Sequence, residues 1–278
     1  MDLKLGLIGD NIAASSAPRL HRLAGAQAGL QVQYDRLVPR EEGLAFDALF
    51  DACPARGYRA LNITYPYKER AAARVRIDDP LVAAMGAVNT VLFEPDGARG
   101  FNTDHSGFVA AYRAIRKDTL PGRVLMIGTG GVGRAVAFGL AALGVSELRL
   151  SDRDLPKSEA LARDLNSVRP DLNITLHPDA EGAAQGVDGI INCTPVGMVG
   201  YEGTPVSKAA CRDAAWAFDA VYTPENTEFL ENARGCGLTI ISGWELFFFQ
   251  GLHAWELFSG LKADPAALRN ALRSRSKD

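Results

Sequence analysis

Four glycines crowd one turn of this 278-residue chain: Gly128, Gly130, Gly131 and Gly133. An apolar run at 124–127 precedes them, and residues 134–143, spaced as a helix, follow and stop at Gly144. Residues 148–150 read as the next strand, with Asp152 at its end, 19 positions after Gly133. Strand, glycine turn, helix, strand and acid are the context in which such a turn holds a dinucleotide. Gly128 permits the tight turn, Gly130 lets the backbone approach a pyrophosphate, and Gly133 lets the helix pack on the strand. The free amides around Val132 and Arg134 favour an anion. Asp152 sits where an acid receives a ribose hydroxyl. The plain alternative is a glycine-rich turn that binds nothing.

A second constellation lies where strands end and helices begin: Ser15, Thr64 with Lys68, Asn89, Asp104 and, in the tail, Gln250. Beside a nicotinamide dinucleotide, the chemistry to ask of them is hydride transfer. Oxidising an alcohol needs a base for the hydroxyl proton as hydride leaves. Lysine serves if burial or neighbouring charge brings its pKa toward the working pH, and a carboxylate would orient it. Lys68 and Asp104 are the candidates. Each also has an ordinary structural reading. Lysine at a helix start is usually solvated, Asp104 caps a helix, Asn62 and Asn89 bond within loops, and Gln250 faces solvent.

The elements that must place these groups alternate between strand and helix. Strands are expected at 3–9, 32–37, 58–63 and 88–93. Helices are expected from Pro18, over 41–53, after Lys68, from Pro80 and over 106–115, with a turn at Asp96-Gly97. Pro121-Gly122 opens the nucleotide-binding part. Beyond Asp152 come a helix at 157–166 and strands at 174–176, 189–192, 216–221 and 238–241, completing a parallel sheet of about six strands. The tail changes character, with helices at 244–261 and 265–272. The fold class is α/β: an N-terminal α/β substrate domain (1–104) and a Rossmann dinucleotide-binding domain (105–243). The C-terminal helices (244–278) return to the first domain. The cleft at the carboxyl ends of both sheets is the default ligand site.

Composition is that of an ordinary globular protein, 47% hydrophobic and 23% charged with net charge −3. No basic excess is present to grip nucleic acid. No run of about 18 apolar residues suggests a membrane span, and the first residues lack the apolar core of a signal peptide. Cys53, Cys193, Cys211 and Cys236 form no C-x-x-C pair, which fits a reduced, cytoplasmic protein. Four scattered histidines give no metal-ligand spacing. The aromatic residues at 244–255 suit helix packing better than base stacking.

Several motifs then occur in a fixed order: Asn62-Ile63-Thr64-x-Pro66-x-Lys68, Ala87-Val88-Asn89-Thr90 and Asn102-Thr103-Asp104 precede the glycine turn. Asn192-x-Thr194-Pro195-x-Gly197-Met198, Asp219-x-Val221-Tyr222, Gly243 and Gln250 follow it. Together they resemble the shikimate/quinate dehydrogenase family over nearly the whole chain. The resemblance implies an enzyme that interconverts alcohol and ketone on a cyclic hydroxy-carboxylate with a nicotinamide cofactor, as a monomer or homodimer. It implies Lys68 as proton acceptor and donor, with Asp104 as its partner. Thr64, Asn89 and Gln250 would bind ring hydroxyls, while Ser15 and Tyr222 would face the carboxylate. Thr194, Pro195, Val221 and Gly243 would join the glycine turn around the cofactor, and Cys193 reads as a buried structural thiol.

Two departures bear on specificity. The family loop places two hydroxyl residues one apart before a proline; here Ser15 holds the first place and Ala17 the second. One charge-assisted hydrogen bond to a carboxylate, worth roughly 1.5–3 kcal/mol, is therefore in question, so shikimate, quinate and an aminoshikimate remain as substrates. The second departure is Asp152-Arg153-Asp154 at the end of the second Rossmann strand. The carboxylate suits two ribose hydroxyls and repels a 2′-phosphate, which favours NAD. Arg153 suits a phosphate or stacks on adenine, which keeps NADP open. A ligand sensor that keeps the fold without fast turnover is the reading from another functional class.

Overall fold

A computed structural model describes residues 2–274. By its contacts the chain divides into two units, one running to Thr103 and resuming at Gln250, the other comprising Asp104–Phe249.

The first unit contains, in order, β1 (Asp2–Ile8), α1 (Ala17–Gln27), β2 (Gln31–Leu37), α2 (Phe46–Ala52) and β3 (Ala60–Ile63). It continues with α3 (Lys68–Ala72), α4 (Pro80–Met85), β4 (Thr90–Glu94) and β5 (Gly97–Phe101). The strands form one sheet in the order β2-β1-β3-β4-β5. β1 lies parallel to β2 and β3, whereas β4 runs antiparallel to both β3 and β5. Leu5, Leu7 and Ile8 of the interior strand β1 are buried, as expected for a strand covered on both faces. The edge strand β2 mixes exposed and buried residues.

Two local results differ from the sequence expectation. The helix expected over 41–53 forms only as α2. Residues 38–44 wind instead through turns, with Gly43 at φ +65° and Ala45 extended at ψ 155°. The left-handed glycine and the extended residue interrupt the helical path although the apolar spacing continues. Conversely, β5 was not expected, because Gly-Ala-Arg-Gly-Phe has little strand propensity. The two-residue turn Pro95-Asp96 folds it onto β4, with Glu94 opposite Gly97. Gly100 is small for a reason: a Cβ there would lie 2.4 Å from the Val75 side chain.

In the second unit the chain proceeds through α5 (Thr103–Arg116), which starts at the boundary, then β6 (Arg123–Ile127), α6 (Gly131–Ala142) and β7 (Glu147–Ser151). It goes on through α7 (Leu155–Val168), β8 (Asn173–Leu176), α8 (Ala180–Ala183), β9 (Gly189–Asn192), β10 (Trp216–Asp219), α9 (Glu228–Gly235) and β11 (Thr239–Ile241). All six strands are parallel, in the order β11-β10-β9-β6-β7-β8. Trp216 anchors the unit. It is fully buried, donates from Nε1 to the Pro121 carbonyl at 3.1 Å, and meets Tyr112 edge-on at 5.2 Å. Val136, Phe138 and Leu140 of α6 are fully buried, each contributing about 1.5–3 kcal/mol by leaving water.

α10 (Gly243–Ser259) carries the chain back to the first unit, followed by α11 (Pro265–Arg273). Trp244 to Phe249 stay with the second unit, where Phe247 stacks on Tyr222 at 5.1 Å and Trp244 on Phe248 at 5.5 Å. From Gln250 onward the tail packs on α1. A Cβ on Gly251 would lie 2.5 Å from Leu20, and Arg19 donates to the Ala271 carbonyl at 2.9 Å. Among the described residues no helix is long and apolar enough to cross a membrane.

At the α1–tail contact His21 is 1% exposed, stacks on Tyr34 at 5.0 Å and lies against Phe258. Burial pushes its pKa down to about 3, with the Asn62 side chain opposing weakly, so His21 is neutral in the fold. A lowered histidine pKa gives stability that is fully present above 6.5 and is lost as pH falls toward 3. Between pH 7.5 and 5 this amounts to about 2 kcal/mol. Urea midpoints of the wild-type chain and His21→Phe at those two pH values should show the wild type losing that much more; parallel losses would contradict it.

Candidate active site

The polar residues singled out in the first unit are tied together through the backbone of residues 87–89. Val88 donates its amide to the Lys68 carbonyl at 3.0 Å, and Ile63 donates to the Asn89 carbonyl at 2.8 Å. Asn102 donates from Nδ2 to the Ala87 carbonyl at 2.8 Å, and Asn89 donates its amide to the Phe101 carbonyl at 3.2 Å. The segments carrying Thr64 and Lys68, Asn89, and Thr103 before Asp104 are therefore stitched into one patch at the ends of β3, β4 and β5. Thr64 is held by its own amide on the Ile8 carbonyl at 2.9 Å, and its carbonyl receives the Tyr67 amide just before α3. Lys68 is the first residue of α3 and is half-buried.

Asn89 is 3% exposed and its carboxamide has a fixed direction. Oδ1 accepts from the Thr103 amide at 2.7 Å, from the Thr90 hydroxyl at 2.9 Å and from the Thr103 hydroxyl at 3.2 Å. A backbone amide only donates, so the oxygen must sit there, and Nδ2 takes the other side of the carboxamide. Thr90 and Thr103 are thus the groups that aim Asn89. Further in, the Tyr34 hydroxyl donates to Asn62 Oδ1 at 2.8 Å. Ser15 lies in the loop before α1, where its hydroxyl accepts the Ala17 amide at 3.3 Å. Ala17 begins α1 and is buried. Gln250 is half-buried on α10, at the point where the tail rejoins the first unit. Asp104 is 6% exposed in the first turn of α5.

The second unit gathers the rest. Gly128 adopts φ +95°, and a Cβ on it would lie 2.7 Å from the Cys193 backbone. A Cβ on Gly133 would lie 2.2 Å from the Gly128 carbonyl oxygen. These two glycines are demanded by the protein itself. Gly130 is different: it has ordinary dihedrals, and a Cβ there would meet nothing within 4 Å. Nothing within 4 Å inside the chain requires glycine at 130, so a Cβ there would stand in open space. Gly130 is the N-cap of α6, Gly131 and Val132 start the helix, and the Arg134 amide closes onto the Gly130 carbonyl at 2.8 Å. The Arg134 side chain pairs with Asp164 on α7.

Asp152 is bound to the glycine turn. Its Oδ2 accepts the Thr129 amide at 2.7 Å and the Thr129 hydroxyl at 2.8 Å, while Oδ1 accepts the Asp154 amide at 2.9 Å. Burial opposes its charge, but the Asp154 amide and both Thr129 donors outweigh that and hold its pKa below the usual carboxylate value. Arg153 beside it is exposed. The loop after β9 is organised by Asn192, whose Oδ1 accepts the Thr194 hydroxyl at 2.6 Å and whose Nδ2 donates to the Val196 carbonyl and to Asp219, each at 3.0 Å. Asp219 also receives the Val221 amide at 2.9 Å and the Thr227 hydroxyl at 2.6 Å. Burial pushes Asp219 up to about 6 against these donors. Pro195 is exposed in the same loop, and Cys193 is buried. Gly243 approaches the Val221 carbonyl so closely that a Cβ would lie 2.3 Å away, and Tyr222 next to it is half-buried.

Sequence reasoning did not find the hydroxyl of Thr129. The signal was a lone hydroxyl in the glycine turn, two residues past β6, opposite an acid one residue past the paired strand β7, where Ile127 registers with Ser151. The bond from Thr90 to Asn89 likewise has no signal in the sequence beyond their adjacency in Ala87-Val88-Asn89-Thr90.

The open space before Gly130, the uncapped helix start and the charged Asp152 fit a dinucleotide with an adenosine ribose. Residues 7–91 match the family model described as the shikimate dehydrogenase substrate binding domain. The chain is 35% identical over 271 residues to a quinate/shikimate dehydrogenase (NAD(+)) of Corynebacterium efficiens, covering 95% of each protein. It belongs to the shikimate/quinate dehydrogenase family. The fold agrees with that of quinate dehydrogenase from Corynebacterium glutamicum in complex with NAD, with a TM-score of 0.88 and 32% identity over 98% of this chain and 99% of that one. It agrees also with shikimate 5-dehydrogenase from Thermus thermophilus in complex with NADP(H) and shikimate, with a TM-score of 0.84 and 31% identity over 98% of each chain.

In this family member the two glycines make opposite predictions. Gly130→Ala should change stability by less than about 1 kcal/mol yet weaken NAD binding at least about tenfold if, as in dinucleotide turns generally, a pyrophosphate approaches the backbone there. Gly133→Ala should lower stability itself by about 1–3 kcal/mol, through overpacking against backbone. Thermal unfolding and calorimetric NAD titration of both variants check this; wild-type NAD affinity in Gly130→Ala would contradict it.

Proposed function

We propose that the chain is an NAD-preferring dehydrogenase of shikimate-type cyclic hydroxy-carboxylates, oxidising a ring hydroxyl to the ketone and catalysing the reverse. The observation that carries this reading is the full-length likeness to quinate dehydrogenase with NAD, together with a glycine turn whose Gly130 keeps space open. Residues up to Thr103 with the tail from Gln250 would form the substrate domain, and Asp104–Phe249 the dinucleotide domain, so that Asp104 and residues 244–249 fall across the boundary from the sequence expectation. NAD, when bound, supplies the acceptor for hydride from the ring carbon.

The chain's own residues do the rest in this reading. Lys68 Nζ takes the hydroxyl proton as the carbonyl forms and returns it in the reverse direction, with Asp104 as its charged partner. Asn89 donates from Nδ2 to a ring oxygen, a role supported by the three donors that hold its Oδ1. Thr64 and Gln250 bind further hydroxyls; Ser15 and Tyr222 serve the carboxylate. Gly128, Gly130, Gly131, Val132 and Gly133 would cradle the pyrophosphate, with Arg134 beside them, and Asp152 and Arg153 would meet the adenosine end. Thr194, Pro195, Val221 and Gly243 would line the nicotinamide end, a placement supported by the Asn192–Asp219 bonds that order their loops. We further propose a cytoplasmic location, consistent with free thiols at all four cysteines, and a monomer or homodimer.

Initial rates with shikimate, quinate and an aminoshikimate, each with NAD and with NADP, test the activity. The expected result is oxidation of at least one acid with NAD preferred; no turnover in any pairing would overturn the enzyme reading. Lys68→Ala should reduce turnover about 10²–10⁴-fold with calorimetric NAD affinity unchanged. Near-normal turnover in that variant would remove Lys68 from the proton transfer.

A further inference from the structure

We infer that Thr129 is a specificity-determining residue for the cofactor. Its hydroxyl pins the Asp152 carboxylate to the glycine turn, and so favours a ribose with two hydroxyls over one with a 2′-phosphate. The inference rests on the dinucleotide reading above and adds a residue to it.

Asp152 supplies the charge, but charge alone does not decide selectivity. A flexible carboxylate can swing aside and leave room for a phosphate, particularly with an arginine next to it. Here it is held from two sides. Both donors of Thr129 converge on Oδ2 at 2.7 and 2.8 Å, and the Asp154 amide takes Oδ1 at 2.9 Å. A carboxylate offers about four lone-pair sites; three are occupied, and the remaining one lies on Oδ1. It is an acceptor only, suited to a ribose hydroxyl and not to a phosphate oxygen, which at neutral pH brings negative charge and few protons. The three donors also keep Asp152 ionised.

Turning Asp152 away would strand the Thr129 hydroxyl, since Thr129 is 1% exposed and water does not reach it. A buried donor left without an acceptor is strongly disfavoured. The penalty for accommodating NADP therefore resides in residue 129 as much as in residue 152. Without that hydroxyl, Asp152 keeps only two amide contacts and gains freedom to rotate. The exposed Arg153 is then the group positioned to meet a 2′-phosphate, which its guanidinium binds well.

The test uses the full chain as wild type, Thr129→Val, Thr129→Ala and Thr129→Ser, with dissociation constants for NAD and NADP measured by calorimetry without substrate. Valine matches threonine in shape, and alanine provides a second removal of the hydroxyl should valine disturb the turn. The expected result is a fall of about tenfold in the ratio Kd(NADP)/Kd(NAD) for Val and Ala, the size of one hydrogen bond. Ser should restore the wild-type ratio. In turnover, the change should appear in the KM values of the two cofactors, with kcat for NAD nearly constant. An unchanged ratio in Val and Ala, in protein that binds NAD, would overturn the role of Thr129 alone. Wild-type protein that binds neither dinucleotide would overturn it together with the reading of the glycine turn.

Discussion

Helix α6 begins against the end of β6, at a distance that no side chain could permit. Gly133 lies so near the Gly128 carbonyl that a Cβ would stand 2.2 Å from it, and Gly128 itself presses on the Cys193 backbone. This contact fixes where the helix starts, and so where its unpaired amides point. Amides at a helix start placed at the carboxyl end of a parallel sheet are, in general, an arrangement that favours an anion. Thr129 then extends the arrangement sideways to Asp152, and the Cys193 contact extends it to the loop that Asn192 and Asp219 organise. Larger residues at 128 or 133 would disturb all of these together, whereas Gly130 shapes only the space in front.

The first unit solves a different problem with similar means. Its candidate site residues come from segments far apart in sequence, and short-range propensity alone would not bring them into register. Backbone amides of 63, 88 and 89 do so by pairing with carbonyls of 89, 68 and 101. The side chains of Asn102 and Thr103 then close the patch onto Ala87 and Asn89. The antiparallel β4–β5 hairpin is what brings Thr103 back beside Asn89, so a strand of unpromising composition, Gly97–Phe101, is needed to orient the amide.

The parallel sheet of the second unit was legible because β6, β7, β9 and β10 are short runs with apolar residues that end at glycine, asparagine or aspartate. Gly189–Asn192 formed where the run predicted it, with all four residues buried. α10 was legible from its apolar length. α2 was overextended because Leu44 continues the apolar spacing while Gly43 and Ala45 leave the helical path; periodicity carries no information about dihedrals. β5 was missed because its pairing derives from a turn and a close approach by Val75, not from its own residues. At the candidate site, residue types and order marked Lys68, Asn89, Asp104 and the glycine turn. Their supports were not legible, because Thr90 on Asn89 and Thr129 on Asp152 are contacts made only once strands are in register. The contrast between Gly130 and Gly128 or Gly133 needed coordinates as well: in the sequence all are glycine, and only the structure shows that a Cβ would be crowded at 128 and 133 and meet nothing at 130.

Transfer of label is the most direct test of the account. The cyclic hydroxy acid would carry deuterium at the ring carbon bearing the oxidised hydroxyl and be incubated with the protein and NAD, with the nicotinamide product analysed by mass spectrometry. The account predicts that the reduced cofactor gains the deuterium, in step with ketone formation. Ketone formed while the label appears in water, or NAD left unreduced and unlabelled, would contradict hydride transfer as the reaction of this chain.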